Sequence, residues 1–174
     1  MKTILVFVMT LDGKVTKWGD PHVFRWSSKE DQAYFKKIWK QKKLFIMGSG
    51  TYGFDPMKPN PDYHLVVMTS KPDKWKEYAV EGQIEFTSAS PAEIHKRFSE
   101  VGHGEMVVVG GPHVAASFLE AQLIDELWLT IEPRIFGAGD LFIPDVKLDV
   151  ELKLLSSETV NEQGTMITKY QIIK

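Results

Sequence analysis

The chain has 174 residues, 43% of them apolar, which suits one globular domain with a substantial core and leaves little room for a second. Its 21 basic and 23 acidic side chains give a net charge of −2 with no basic block, so nothing marks a nucleic-acid or anionic-membrane partner, and a small molecule is the expected ligand. Cysteine is absent, which excludes disulfides, thiolate nucleophiles and cysteine-held metals; His22, His64, His95, His103 and His113 show no metal spacing, so no metal site is expected.

Met1–Met9 carries one lysine and an apolar run too short for a secretory leader, with no small-residue cleavage site after it. A first strand over Ile4–Met9 of a cytoplasmic protein is expected. Ser27-Ser28-Lys29-Glu30 reads as a capping box, and Tyr34, Phe35, Ile38 and Trp39 follow at helical spacing. Strand-length apolar runs recur at Leu44–Met47, His64–Thr69, Met106–Val109 and Leu127–Ile131. Ser90-Pro91-Ala92-Glu93 combines an N-cap, a first-turn proline and the reciprocal acid, opening a helix that buries Ile94, Phe98 and Val101. Another helix should run from Pro112 to about Gln122. Val150–Thr159 and Thr165–Ile173, around the turn signal Asn161–Gly164, predict a closing antiparallel hairpin. Strands alternating with helices imply a three-layer α/β/α domain spanning residues 1–174, with a mixed, mainly parallel sheet.

Two strands run directly into glycine turns that precede helix starts, at Gly48-Ser49-Gly50-Thr51 and Gly110-Gly111-Pro112-His113-Val114. Glycine lets the backbone approach an anion, and the free N–H groups and dipole of the next helix attract it, so two such junctions suggest a dinucleotide. Gly48–Gly53 matches G-x-G-x-x-G, but it follows the second strand, and the acid that would bind a ribose is replaced by Thr69-Ser70-Lys71. Two hydroxyls and an ammonium suit a 2′-phosphate, hence NADPH over NADH. A plain β-to-α turn would also use these glycines.

Asp31 lies four and seven residues before Phe35 and Ile38, so a carboxyl shares the stripe that should face the core. Burial there would raise its pKa and let it hold or donate a proton to a nitrogen heterocycle, whereas an acid favoured by the helix dipole would also stand in this first turn. Trp26, just before that helix, is the tryptophan expected beside a ligand.

These features resemble the dihydrofolate reductase superfamily, and specifically the reductase domain of the bacterial bifunctional riboflavin-biosynthesis deaminase-reductase. Thr10-Leu11-Asp12-Gly13-Lys14-Val15 resembles S-L-D-G-K-[IV], Trp26-Ser27-Ser28 resembles W-I-[ST]-S, and Met47–Thr51 resembles V-G-x-G-T. Gly110-Gly111-Pro112, Leu123–Leu127 and Glu132–Gly137 resemble three later motifs in the same order. The resemblance implies an NADPH-dependent reductase. It would hold the pyrophosphate at Gly48, Ser49, Gly50 and Thr51 and at Gly110, Gly111, Pro112, His113 and Val114, the 2′-phosphate near Thr69, Ser70 and Lys71, and the nicotinamide beside Val8 and Val15. It further implies substrate contacts at Trp26, Ser27, Phe35 and Asp55, and a homodimer. Asp31-Gln-Ala-Tyr-Phe-Lys resembles the D-x-A-W-F-K of dihydrofolate reductases, whose acid binds the pterin. The expected reaction is hydride transfer to a C=N-type carbon, of the 5-amino-6-(5-phosphoribosylamino)uracil reductase type. A dihydrofolate or dihydropteridine reductase and a non-catalytic nucleotide-binding module are the alternatives. The riboflavin reductases' arginine after the first glycine turn is absent, and Lys58 is the basic residue there.

Overall fold

The computed structural model describes all residues, Met1–Lys174. Eight strands form one sheet: β1 (Lys2–Thr10), β2 (Leu44–Gly48), β3 (His64–Met68), β4 (Ile84–Thr87), β5 (Glu105–Val108), β6 (Glu126–Glu132), β7 (Leu152–Thr159) and β8 (Met166–Ile172). Four α-helices connect them: α1 (Lys29–Gln41), α2 (Ser49–Phe54), α3 (Pro91–Glu100) and α4 (Pro112–Glu120). The strand order is β4-β3-β2-β5-β1-β6-β8-β7, parallel from β4 to β6, with β8 antiparallel to both β6 and β7.

The β2 strand is buried along Leu44-Phe45-Ile46-Met47 because helices cover both faces of the sheet, so both sets of alternating side chains are apolar. On one face Ile4, Val6, Phe45, Met47, Leu65 and Val67 pack with Ile38 of α1 and Tyr52 of α2. On the other, Leu5, Ile46, Met106 and Val108 pack with Ile94 and Phe98 of α3 and Ala115 and Phe118 of α4. The three-layer architecture with a terminal hairpin therefore agrees with the sequence expectation. Strand β4 and a 3₁₀ segment at Pro72–Tyr78 had no clear sequence signal: β4 has four residues, and only Ile84 is fully covered.

At Ser90 the expected capping box forms, with Ser90 Oγ accepting from Glu93 N at 3.3 Å and Glu93 Oε2 accepting from Ser90 N at 2.7 Å. At α1 the expectation is overturned. The N-cap is Ser28, one residue later, and its Oγ accepts from Asp31 N at 3.2 Å. Glu30 turns instead to Asn161 Nδ2. The Ser28 N–H that a local acid would satisfy donates to Glu132 Oε1 of β6 at 2.7 Å. A long-range partner replaces the local one because β6 ends directly beneath the start of α1.

The sheet's carboxyl edge contains a topological switch point. From β2 the chain turns to β3 on one side, and from its neighbour β5 it crosses to β6 on the other. Open α/β sheets bind ligands in the crevice at such a point. Phe118, fully buried, anchors α4 against the sheet behind it. Truncation of Phe118 to alanine is expected to cost about 3–5 kcal/mol, measured as a lowered denaturant midpoint at unchanged m-value.

Candidate active site

Both glycine turns stand at the carboxyl ends of adjacent strands and touch. Gly48 N donates to Gly110 O at 2.9 Å, and the Gly110–Gly111 peptide is cis. A Cβ on Gly48 would lie 3.1 Å from Val114 Cγ2, and one on Gly111 would lie 3.1 Å from Thr51 Oγ1. Gly110 has φ +145°, open to glycine and strained for other residues. The missing side chains are thus what lets the turns meet. The first-turn amides of Ser49, Gly50 and Thr51 in α2 and of His113 and Val114 in α4 have no acceptor within the chain.

Beside the second turn a shallow depression of about 470 Å³ is lined by Thr69, Ser70, His113 and Val114, all expected from sequence, together with Thr87, Ser88 and Ser117. The last three were not singled out because hydroxyl residues at the end of a four-residue edge strand and within α4 carry no recognisable pattern. Lys71 is exposed and does not line this depression; its N–H donates to Thr69 Oγ1 at 3.2 Å.

A second region lies under the start of α1. Asp31 is 6% exposed, and burial pushes its carboxyl up to about 6, with the nearby Glu132 charge adding to the effect and the hydroxyls of Thr130 and Ser27 opposing it. The helix dipole favours charge in a first turn by only about 0.3–1 kcal/mol, whereas a rise from 3.8 to about 6 corresponds to about 3 kcal/mol against the carboxylate. Desolvation wins. Around this carboxyl, Trp26 Nε1, Ser27 Oγ and Tyr34 Oη are buried without a well-formed hydrogen bond. Burial, and then the Asp31 charge, push the Tyr34 phenol up to about 12. Buried polar atoms without partners are uncommon in folded proteins; of the six in this chain, Ser27 Oγ and Tyr34 Oη face this one protonatable acid, while Thr3 Oγ1, His64 Nε2 and Ser99 Oγ lie elsewhere.

Val8 is half-buried on β1, in register with Thr130 of β6, and Val15 is buried in the following loop. That loop is stitched to the segment after β6. The Asp12 carboxylate, held below its usual range by the Thr10 hydroxyl and these amides, accepts from Phe136 N and Gly137 N, while Val15 N donates to Asp140 O and Trp18 Nε1 to Phe136 O. A Cβ on Gly139 would fall 2.1 Å from Thr16 O, so only glycine allows this approach. Phe136 in turn meets the Trp26 ring edge-on at 5.2 Å, closing one wall. Phe35 is half-buried against Trp39. Asp55 is exposed after α2 and makes no ion pair or hydrogen bond, so the structure does not join it to the Asp31 group.

A carboxyl whose folded pKa lies above its unfolded value destabilises the fold where both states are ionised. This penalty is full above about pH 6, fades through the interval down to about 4, and is absent below it. Asp31→Asn should therefore stabilise the protein at pH 8 by up to about 3 kcal/mol and leave it nearly unchanged at pH 4; denaturation at the two pH values measures the difference.

Three solved structures share this architecture along nearly the whole chain. A pyrimidine reductase-like protein from Corynebacterium diphtheriae is 15% identical with TM-score 0.81, covering 99% of this chain and 92% of that one. The diaminohydroxyphosphoribosylaminopyrimidine deaminase/5-amino-6-(5-phosphoribosylamino)uracil reductase of Thermotoga maritima is 20% identical with TM-score 0.75, covering 99% of this chain and 56% of the longer one. Dihydrofolate reductase from Enterococcus faecalis, solved with NADP(H) and RAB-propyl, is 21% identical with TM-score 0.72, covering 99% of this chain and 97% of that one. The sequence profile of the RibD C-terminal domain matches residues 1–166, and the chain belongs to that family.

Proposed function

We propose that this protein is an NADPH-dependent reductase acting on a nitrogen heterocycle of the aminopyrimidine class, of the 5-amino-6-(5-phosphoribosylamino)uracil reductase type. The observation that carries the reading is the buried, protonatable Asp31 faced by the hydroxyls of Ser27 and Tyr34, with the unpartnered Trp26 indole N–H just before the same helix, at the same sheet edge as the paired glycine turns. An indole N–H, two hydroxyls and a carboxyl match the mixed donors and acceptors along an aminopyrimidine edge.

The residues present fit a dinucleotide phosphate. The free amides of Ser49–Thr51, His113 and Val114 would hold its pyrophosphate, and the hydroxyls of Thr69 and Ser70 with His113 would receive a 2′-phosphate, Lys71 adding charge from the rim. Val8 and Val15 would pack against the nicotinamide, which supplies the hydride when bound. Asp31 would hold a proton near neutral pH for the nitrogen of the C=N bond whose carbon is reduced. Trp26 and Phe136 would exclude water, and alignment would provide much of the rate. A homodimer is part of the same proposal. Leu152, Leu154 and Leu155 are exposed on the edge strand β7, the surface that would carry the pairing.

Titration with NADPH and with NADH, followed by quenching of tryptophan emission and energy transfer to the nicotinamide, should show tight binding with a preference for NADPH. Gly111→Val should abolish that binding in a still-folded protein, because its side chain would enter the space of Thr51 Oγ1. With an aminopyrimidine substrate, Asp31→Asn should lower turnover at least about a hundredfold and leave NADPH affinity nearly unchanged. Turnover of dihydrofolate alone would move the assignment to a folate reductase, and binding without any turnover to a nucleotide-binding module. In sedimentation, Leu154→Asp should convert a dimer to a monomer.

A further inference from the structure

Glu132 is 2% exposed and forms no salt bridge, yet each of its carboxylate oxygens has a defined donor. Oε1 accepts from Ser28 N at 2.7 Å, and Oε2 accepts from Thr165 Oγ1 at 2.8 Å. Thr165 is itself fixed by the hairpin turn, its N–H donating to Asn161 Oδ1 and its Oγ1 accepting from Asn161 Nδ2, both at 2.9 Å. Asn161 Nδ2 also reaches Glu30 Oε2 at 3.0 Å. A chain of hydrogen bonds thus joins the turn between β7 and β8 to the end of β6 and to the cap of α1, three residues before Asp31.

We propose that Glu132 is a positioning residue for Asp31: it supplies from β6 the acid that a local capping box would contain, fixing the first turn of α1, and it keeps a second negative charge behind the Asp31 carboxyl. The inference rests on the proposed role of Asp31, but its physical content concerns the protein alone. Burying an anion without a cation is costly, and two donors offset only part of that cost. A neutral glutamine could reach the same two partners, so charge and reach have to be separated by substitution. The groups facing Asp31 are the hydroxyls of Ser27 and Thr130, the Tyr34 phenol three residues along α1, and Glu132; Glu30 is directed to Asn161.

Two substitutions separate charge from reach. Glu132→Gln keeps an oxygen for Ser28 N and removes the charge, and the Thr165 hydroxyl can rotate to accept from the new amide. Glu132→Asp keeps the charge and is one methylene too short to hold both donors. The Asp31 carboxyl is followed by carbon NMR in aspartate-labelled protein without ligand, assigned through Asp31→Asn, and the Ser28 amide is followed by hydrogen exchange. In Glu132→Gln the Asp31 midpoint should fall by about one pH unit while Ser28 stays protected. In Glu132→Asp the midpoint should stay high while Ser28 exchange accelerates at least about tenfold. An unmoved Asp31 midpoint in Glu132→Gln overturns the charge role, and unchanged Ser28 exchange in Glu132→Asp overturns the tether. A purely structural glutamate would lower global stability in both variants and accelerate exchange throughout the chain. Because neither readout requires turnover, failure of the reductase reading would leave these results interpretable.

Discussion

A carboxyl group held away from water at the start of α1 is the constraint around which the carboxyl edge of the sheet is arranged. Helix geometry alone would favour its ionisation; burial beside Tyr34 and the end of β6 reverses that preference. The nearby Glu132 reinforces the reversal, and the hydroxyls of Thr130 and Ser27 oppose it. A core built only for stability would have satisfied Trp26 Nε1 and the Tyr34 hydroxyl, or replaced them with apolar groups, since each open atom costs about 1–3 kcal/mol.

The second half of the site is built by subtraction. Gly48, Gly110 and Gly111 bring two β-to-α turns into contact across neighbouring strands, with Val114 against Gly48 and Thr51 against Gly110 and Gly111 where Cβ atoms would stand. The same contact places the amide-bearing starts of α2 and α4 beside one another at the switch point, so the free donors converge on one crevice.

Much of this was legible in the chain because the signals are local. The apolar runs of β1, β2, β3, β5 and β6, the Ser90 box and the turn at Asn161–Gly164 each report structure through adjacent residues, and the fold follows from their order. The burial of Asp31 was legible too, from its helical phase with Ile38. What stayed hidden depends on distant partners. The α1 cap was misplaced by one residue because its acid comes from 104 positions away, and no local pattern encodes that pairing. Thr87, Ser88 and Ser117 line the depression without any sequence mark, because ordinary hydroxyl residues gain meaning only from the surface they share.

The L-D-G-K and E-P-R-I-F-G segments illustrate how motif and mechanics meet. As strings they carried a family likeness without a reason; in space they are two sides of one clamp, Asp12 gripping the amides of Phe136 and Gly137 while Lys14 Nζ donates to Gly139 O. Glu132 opens the second segment and Phe136 follows four residues later, so one stretch after β6 meets both the cap of α1 and the wall beside Trp26. A displacement of that stretch would therefore alter the Asp31 carboxyl and its covering aromatic wall together. The cap of the helix that carries the acid and the aromatic wall are thus coupled through a few residues of one backbone segment.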